Sequence, residues 1–264
     1  MVLPVALQQG AGVAKEPTAS ATLRWADNSM VVREGRNVRG GAPGGGPSGM
    51  KWRIAWLRSA LTGGDAALIA ARTGAVYAPG AAGGGELRLP VWGRRVAVSV
   101  PGFATRDVET GRELALDIQA LLLYYFHASD GAGEEGRWIS FSELPDGTFY
   151  QRAFQGYTGE AITRAFRNDL DAFARAAEHL GGRRLTFGDC SFSFSALPKV
   201  TLAAAYWRGD EELSPSARIL FDASVSHHLP TDVCAILGAA LTGRLTRLKW
   251  CQWRASWRDG TCNA

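Results

Sequence analysis

The stretch RRLTFGDCSFSFSALPKVTLAAAYWRGDEELSPSARILFDASVSHHL, residues 183–229, decides the fold class. Within it, SFSFSAL alternates strictly and places Phe192, Phe194 and Ala196 on one face of a strand. VTLAAAYW and RILFDASV read as two further strands, and the acidic GDEELSPS between them carries a turn signal. PTDVCAILGAALTGRLTRLKW follows as an amphipathic helix. Its buried stripe is Val233, Ile236, Leu237, Ala240, Leu241, Leu245 and Leu248.

Working outward, ELRLPVWGRRVAVSVPG (86–102) gives two β runs broken at Gly93, a hairpin. TGRELALDIQALLLYYFHAS (110–129) opens with a Thr110/Glu113 capping box and is apolar nearly all round, so the helix belongs inside the domain. GRWISFSELPDGTFY (136–150) reads as a short strand and turn. Phe149, Phe154 and Tyr157 then lead toward the helix DLDAFARAAEHLGG. Near the start, Trp52, Trp56, Leu57, Ala60 and Leu61 share a helical stripe, and Asp65 is placed to cap AALIAARTG. Strands and helices mix without a regular βαβ rhythm. The expectation is an α+β fold, a largely antiparallel sheet packed with several helices.

The two ends differ from the body. Residues 1–49 close on GGAPGGGPSG and read as a disordered, flexible Gly/Pro-rich extension, with Met50 a candidate for the true start. Residues 50–250 read as a single α+β domain, and 251–264 as an irregular Trp/Arg/Cys tail. The net charge of +4 also resides at the ends. Residues 1–49 hold five basic and three acidic side chains, and 244–264 hold five and one. Residues 50–243 hold nineteen basic against twenty-one acidic. A nucleic-acid domain carries its basic surface on the folded body, so this balance argues against nucleic acid as a partner. No apolar run nears the ~20 residues of a membrane span, and the N-terminus has no basic n-region, so the expected compartment is the cytoplasm. The cysteines at 190, 234, 251 and 262 show no CxxC or zinc-ribbon spacing.

Candidate chemistry concentrates in SHHLPTD, which ends the deciding stretch and opens the last helix. Were ILFDASVSHH extended throughout, Asp222, Ser224, Ser226 and His228 would share one face and His227 the other. Thr231 suits an N-cap behind Pro230, and Asp232 suits the positive first turn. A divalent metal could instead be held by His228, Asp232, Asp189 of FGDC and His227, since His and carboxylate are the usual non-sulfur ligands. Cys190 with His227 or His228 as base, the acidic turn Asp210, Glu211 and Glu212, and an aromatic pocket at Trp138, Phe141, Phe149 and Tyr150 complete the list. GxSxG, HExxH and P-loop signatures are missing from the sequence.

The phrases IAARTGAVY, LLLYYFHAS, GRWISFSELPDGTF, LGG at 180–182 and LPKVTLAAAYWRGDEELSPSARILFDASVSHHLPTD span about residues 65–240. In their order they resemble an uncharacterised domain-of-unknown-function family of mainly anaerobic bacteria and archaea. Some of its members carry an iron–sulfur segment like that of corrinoid iron–sulfur proteins. This chain has no cysteine before Cys190. The resemblance therefore implies no iron–sulfur cluster of its own, and an accessory role in anaerobic cofactor or one-carbon metabolism. Taken with the residues, it leads to a non-catalytic domain that binds a small molecule, a cofactor or a protein partner. The alternative is a metal-dependent enzyme using the His/Asp cluster around 222–232.

Overall fold

SFSFSAL forms β9 (Cys190–Leu197), and with β10 (Val200–Trp207) and β11 (Ser216–Asp222) it makes the centre of a five-stranded antiparallel sheet. The computed structural model describes residues 21–26, 29–34, 47–80 and 84–258. They fall into two units, Met1–Arg53 and Ile54–Ala264. In the first, β1 (Ala21–Ala26) pairs antiparallel with β2 (Ser29–Glu34).

In the second unit the large sheet has the order β7-β11-β10-β9-β8, with β7 at Trp138–Ser140 and β8 at Arg183–Arg184. A four-stranded antiparallel sheet runs in sequence order through β3 (Val76–Pro79), β4 (Gly85–Val91), β5 (Arg94–Val100) and β6 (Thr105–Asp107). The helices are α1 (Pro47–Leu61), α2 (Ala66–Thr73), α3 (Leu116–Ala128), α4 (Gly147–Tyr157), α5 (Gly159–Phe166), α6 (Leu170–His179) and α7 (Thr231–Arg258). The fold is α+β. Among the described residues, no helix is long and apolar enough to cross a membrane.

The register explains the core. Phe192 lies opposite Ala204, Phe194 opposite Leu202, and Leu202 opposite Phe221, so these side chains share one face. Phe173 of α6 covers Phe192 and Tyr206, and Phe154 of α4 covers Phe221. Phe141 stacks on Phe154 at 4.2 Å between ring centres. Each fully buried ring contributes roughly 1.5–3 kcal/mol of transfer free energy. Gly238 lets α7 approach this layer, because a Cβ there would stand 2.6 Å from the Phe154 ring.

Several local expectations change under tertiary packing. On α1 the buried stripe is Ile54, Leu57 and Leu61, while Trp52 and Trp56 are exposed. α3 begins at Leu116 without a side-chain cap. Thr110 instead turns back on the Asp107 carboxylate, and Glu113 accepts from Gln119 Nε2 at 3.0 Å. The turn expected after β7 is a 3₁₀ turn, Phe141–Glu143, and α4 already includes Phe149 and Tyr150. The hydroxyl of Thr231 donates to Pro145 O at 2.7 Å rather than capping α7. α7 is buried more widely than its stripe: Cys234, Ala235, Ala239 and Thr242 are buried as well, because α4, α5 and α6 all pack on it. Asp65 does cap α2, accepting from Ala67 N at 2.8 Å.

Candidate functional site

β11 does not run on through the histidines. The Asp222 carboxylate accepts from Ser224 N (3.0 Å) and Ser224 Oγ (2.6 Å), which bends the chain into a 3₁₀ turn, Ala223–His227. The same carboxylate accepts from Glu135 N (3.0 Å) and Gly136 N (2.7 Å), clamping the loop after α3 onto the sheet end. Burial pushes the Asp222 carboxyl up, but the Ser224 hydroxyl and the three N–H donors together hold it below the usual carboxylate range. The expected shared face of Asp222, Ser224, Ser226 and His228 is therefore replaced by a turn, because four donors converge on one carboxylate.

His228 is fully buried. Its Nδ1 lies 3.2 Å from Ser129 Oγ, its ring centre is 6.0 Å from that of Tyr125, and among the described residues its Nε2 has no hydrogen-bond partner. Tyr125 donates to Thr73 O (2.7 Å) and accepts from Lys199 N (3.1 Å), while Lys199 Nζ donates to Gly131 O (2.6 Å). Desolvation holds the His228 ring below the ordinary histidine range, against the pull of Asp130, with Lys199 and His227 adding to the depression. His227 is exposed and pairs through Nδ1 with Asp130 Oδ2 at 2.6 Å.

Register places the other sequence candidates. Asp189 N–H donates to Tyr206 O, and its carboxylate accepts from Arg208 N at 2.7 Å. Tyr206 pairs with Ala217, whereas Phe221 pairs with Leu202. Asp189 and Cys190 thus stand at one end of the sheet and His228 beyond the other, about six residues or roughly 20 Å away along β10. The structure brings His228 and His227 together with Ser129 and Asp130, and leaves Asp189 apart. Asp232 is exposed in the first turn of α7. Among the described residues, no group of three or more His, Cys, Asp or Glu side chains is placed to hold a metal ion. Burial pushes the Cys190 thiol up, away from thiolate character. Asp210 accepts from Glu212 N and Leu213 N within its own turn. Phe141 is core and Phe149 is exposed, so the aromatic group does not line one pocket.

A cleft of about 320 Å³ lies elsewhere, at the junction of the two sheets. The β4–β5 hairpin supplies Pro90, Trp92 and Gly93; the end of α6 supplies Leu180 and Gly181; β9 supplies Phe194 and Ser195; α7 supplies Leu241 and Arg244. The hairpin turn has positive φ at both central residues, 50° at Trp92 and 78° at Gly93. Glycine suits such a turn, whereas a tryptophan there costs roughly 1–2 kcal/mol. Two contacts hold Trp92: its N–H donates to Ala196 O of β9 at 2.9 Å, and the Arg244 guanidinium carbon lies 4.9 Å from its ring centre. Arg244 is half-buried. Desolvation lowers its pKa first, and the charges of Arg247 and Arg94 lower it further. Arg94 is itself paired with Asp107 at 2.8 Å.

A family model, Domain of unknown function (DUF3786), matches residues 65–244. The chain belongs to this family. No curated protein and no solved structure matches the chain. Every residue that lines the cleft falls inside the matched span of the DUF3786 domain. Sequence reasoning missed Trp92 and Arg244 because each reads locally as ordinary, one a β residue beside a glycine and the other a charge on a helix. The available signal was the bulky aromatic where an Asn-Gly or Gly-Gly pair serves the turn best.

Proposed function

We propose that this DUF3786 domain binds a small molecule, and that the cleft between the β4–β5 hairpin, β9, α6 and α7 is its site. The observation that carries this reading is Trp92. A tryptophan is kept in left-handed backbone at the cleft mouth, tied across two sheets to Ala196 O, where a glycine or asparagine would serve the turn without strain. Strain of this kind is retained where the side chain is needed. The cleft volume is at the lower end of the range of small-molecule sites, and its lining is apolar around a single cation. Its side chains include no histidine, carboxylate or thiol to act as acid, base or nucleophile, which favours binding over catalysis. The slightly acidic body supports a small molecule or a protein partner over nucleic acid, and a cytoplasmic setting accords with the reading.

Equilibrium dialysis of the purified chain against a small-molecule extract of its host cells, read by mass spectrometry, tests this. We expect wild type to retain a compound that Ser195→Phe, which fills the cleft from an exposed position on β9, does not retain. Equal retention by both proteins, or none by either, removes the reading.

A further inference from the structure

Resting on that reading, we infer that the ligand is a small organic anion, a carboxylate or phosphate monoester on a flat apolar body, with its anionic group on Arg244 and its body against Trp92. Arg244 comes from the fourth turn of α7 and reaches the cleft beside Leu241, which is fully buried. Among the described residues its guanidinium makes no hydrogen bond or ion pair, and its carbon lies 4.9 Å from the centre of the Trp92 ring. A ring contact of this kind offers the guanidinium N–H groups no carboxylate or carbonyl acceptor. The charges it feels are Arg247 and Arg94, both of its own sign.

A partly desolvated cation without a carboxylate is unfavourable unless an anion completes it. The structure offers a neighbouring contrast in kind. Arg94, Arg88 and Arg106 each have a carboxylate, from Asp107 or Glu86. Among the described residues, none stands against Arg244 in the cleft. A guanidinium edge presents paired donors that match the two oxygens of a carboxylate or phosphate. The walls beside it, Trp92, Phe194, Leu180 and Leu241, are apolar or aromatic and suit a body with little polarity. A free inorganic anion would leave those walls unused.

Isothermal titration of the full chain with 2-naphthoate, 2-naphthyl phosphate, the neutral isostere 2-naphthamide, and inorganic phosphate tests the inference. One or both naphthyl anions should bind wild type at least tenfold more tightly than 2-naphthamide and than inorganic phosphate. Their relative affinities identify which anionic group the site takes. Arg244→Gln should cut anion affinity at least tenfold while leaving 2-naphthamide unchanged, and Arg244→Lys should restore part of it. 2-Naphthamide binding as tightly as the anions, with both lost in Ser195→Phe, overturns the anionic class but leaves the cleft a binding site. Inorganic phosphate binding as tightly as the naphthyl anions overturns the apolar body. No binding of any probe, together with no retained compound in the dialysis, overturns both readings. The comparison of anion with amide is made on wild type, so it stands even where a variant folds poorly.

Discussion

Around Asp222, polar groups are matched to one another almost atom for atom; around Arg244 they are not. The Asp222 carboxylate takes four donors, Tyr125 and Lys199 are each engaged twice or more across the same sheet end, and one atom, His228 Nε2, lacks a partner among the described residues. In the cleft a half-buried guanidinium rests on a strained tryptophan with two like charges in its field. Both regions are dense in chemistry. The first uses it to hold a loop onto a sheet, so its polar groups are internally satisfied. In the second, Arg244 has no carboxylate among the described residues, as the proposed binding site requires, since a group already satisfied gains little from a ligand.

That contrast can be broken first at Asp222. Asp222→Ala removes the acceptor of the buried Ser224 N–H and hydroxyl and of the loop N–H groups of Glu135 and Gly136. It should destabilise the fold by about 3–5 kcal/mol in urea unfolding, since each stranded buried donor costs about 1–3 kcal/mol and some reach water. A loss below about 1 kcal/mol would mean that the clamp contributes little.

Next in size, packing against α7 predicts that Gly238→Val loses about 2–3 kcal/mol, because the branched side chain must displace the Phe154 ring from its stack on Phe141. A neutral outcome would show that the aromatic layer yields easily.

The acid dependence sharpens the comparison further. His228 is depressed in the folded protein, so the unfolded chain takes up its proton first as pH falls. Stability from the neutral ring is present above the ordinary histidine value of 6.5 and is lost as pH drops through it toward the folded value. Asp222 is depressed as well, so its contribution is present above 3.8 and is lost below that value. Urea unfolding at a series of pH values should show both losses in wild type. Asp222→Asn should remove the lower one while the upper one remains. A profile flat from pH 7 to pH 5 would contradict the buried neutral imidazole.

The smallest effects belong to the cleft. Arg244→Gln removes an unmatched cation and should shift stability by no more than about 1 kcal/mol, in either direction, while cutting anion affinity at least tenfold. Trp92→Asn exchanges a residue strained at positive φ for one that adopts it readily, so stability should stay within about 1 kcal/mol as lost stacking offsets relieved strain. Thermal unfolding beside the naphthoate titration reads both. A large loss of stability in either variant would make the cleft a structural feature like the Asp222 clamp and erase the distinction.

Much of the fold was legible because it follows from local periodicity. Strict alternation in SFSFSAL admits only a half-turn repeat, so β9 and its inward phenylalanines were determined before any packing was known. The same holds for the Trp92–Gly93 hairpin, for Asp65 capping α2, and for the existence of a central helix apolar nearly all round, though not for its start, expected at Thr110 and found at Leu116. These features bring α+β with them. What failed were the properties that depend on which partner arrives from far along the chain. Thr110 could cap a helix or close a turn on Asp107, and the nearer carboxylate won. Trp52 and Trp56 are as apolar as Leu57, but only the stripe of Ile54, Leu57 and Leu61 meets the core. SHHLPTD looked like the richest chemistry in the chain, yet the sheet register sends Asp189 to the far end, and the donors of a loop 86 and 87 residues away claim Asp222. The sequence alone determined the central strands and the main helices. Tertiary structure alone decided that Trp92 and Arg244, 152 residues apart by their numbers, face one another across a cleft, because no local pattern records the approach of a hairpin in one sheet to a helix that covers another.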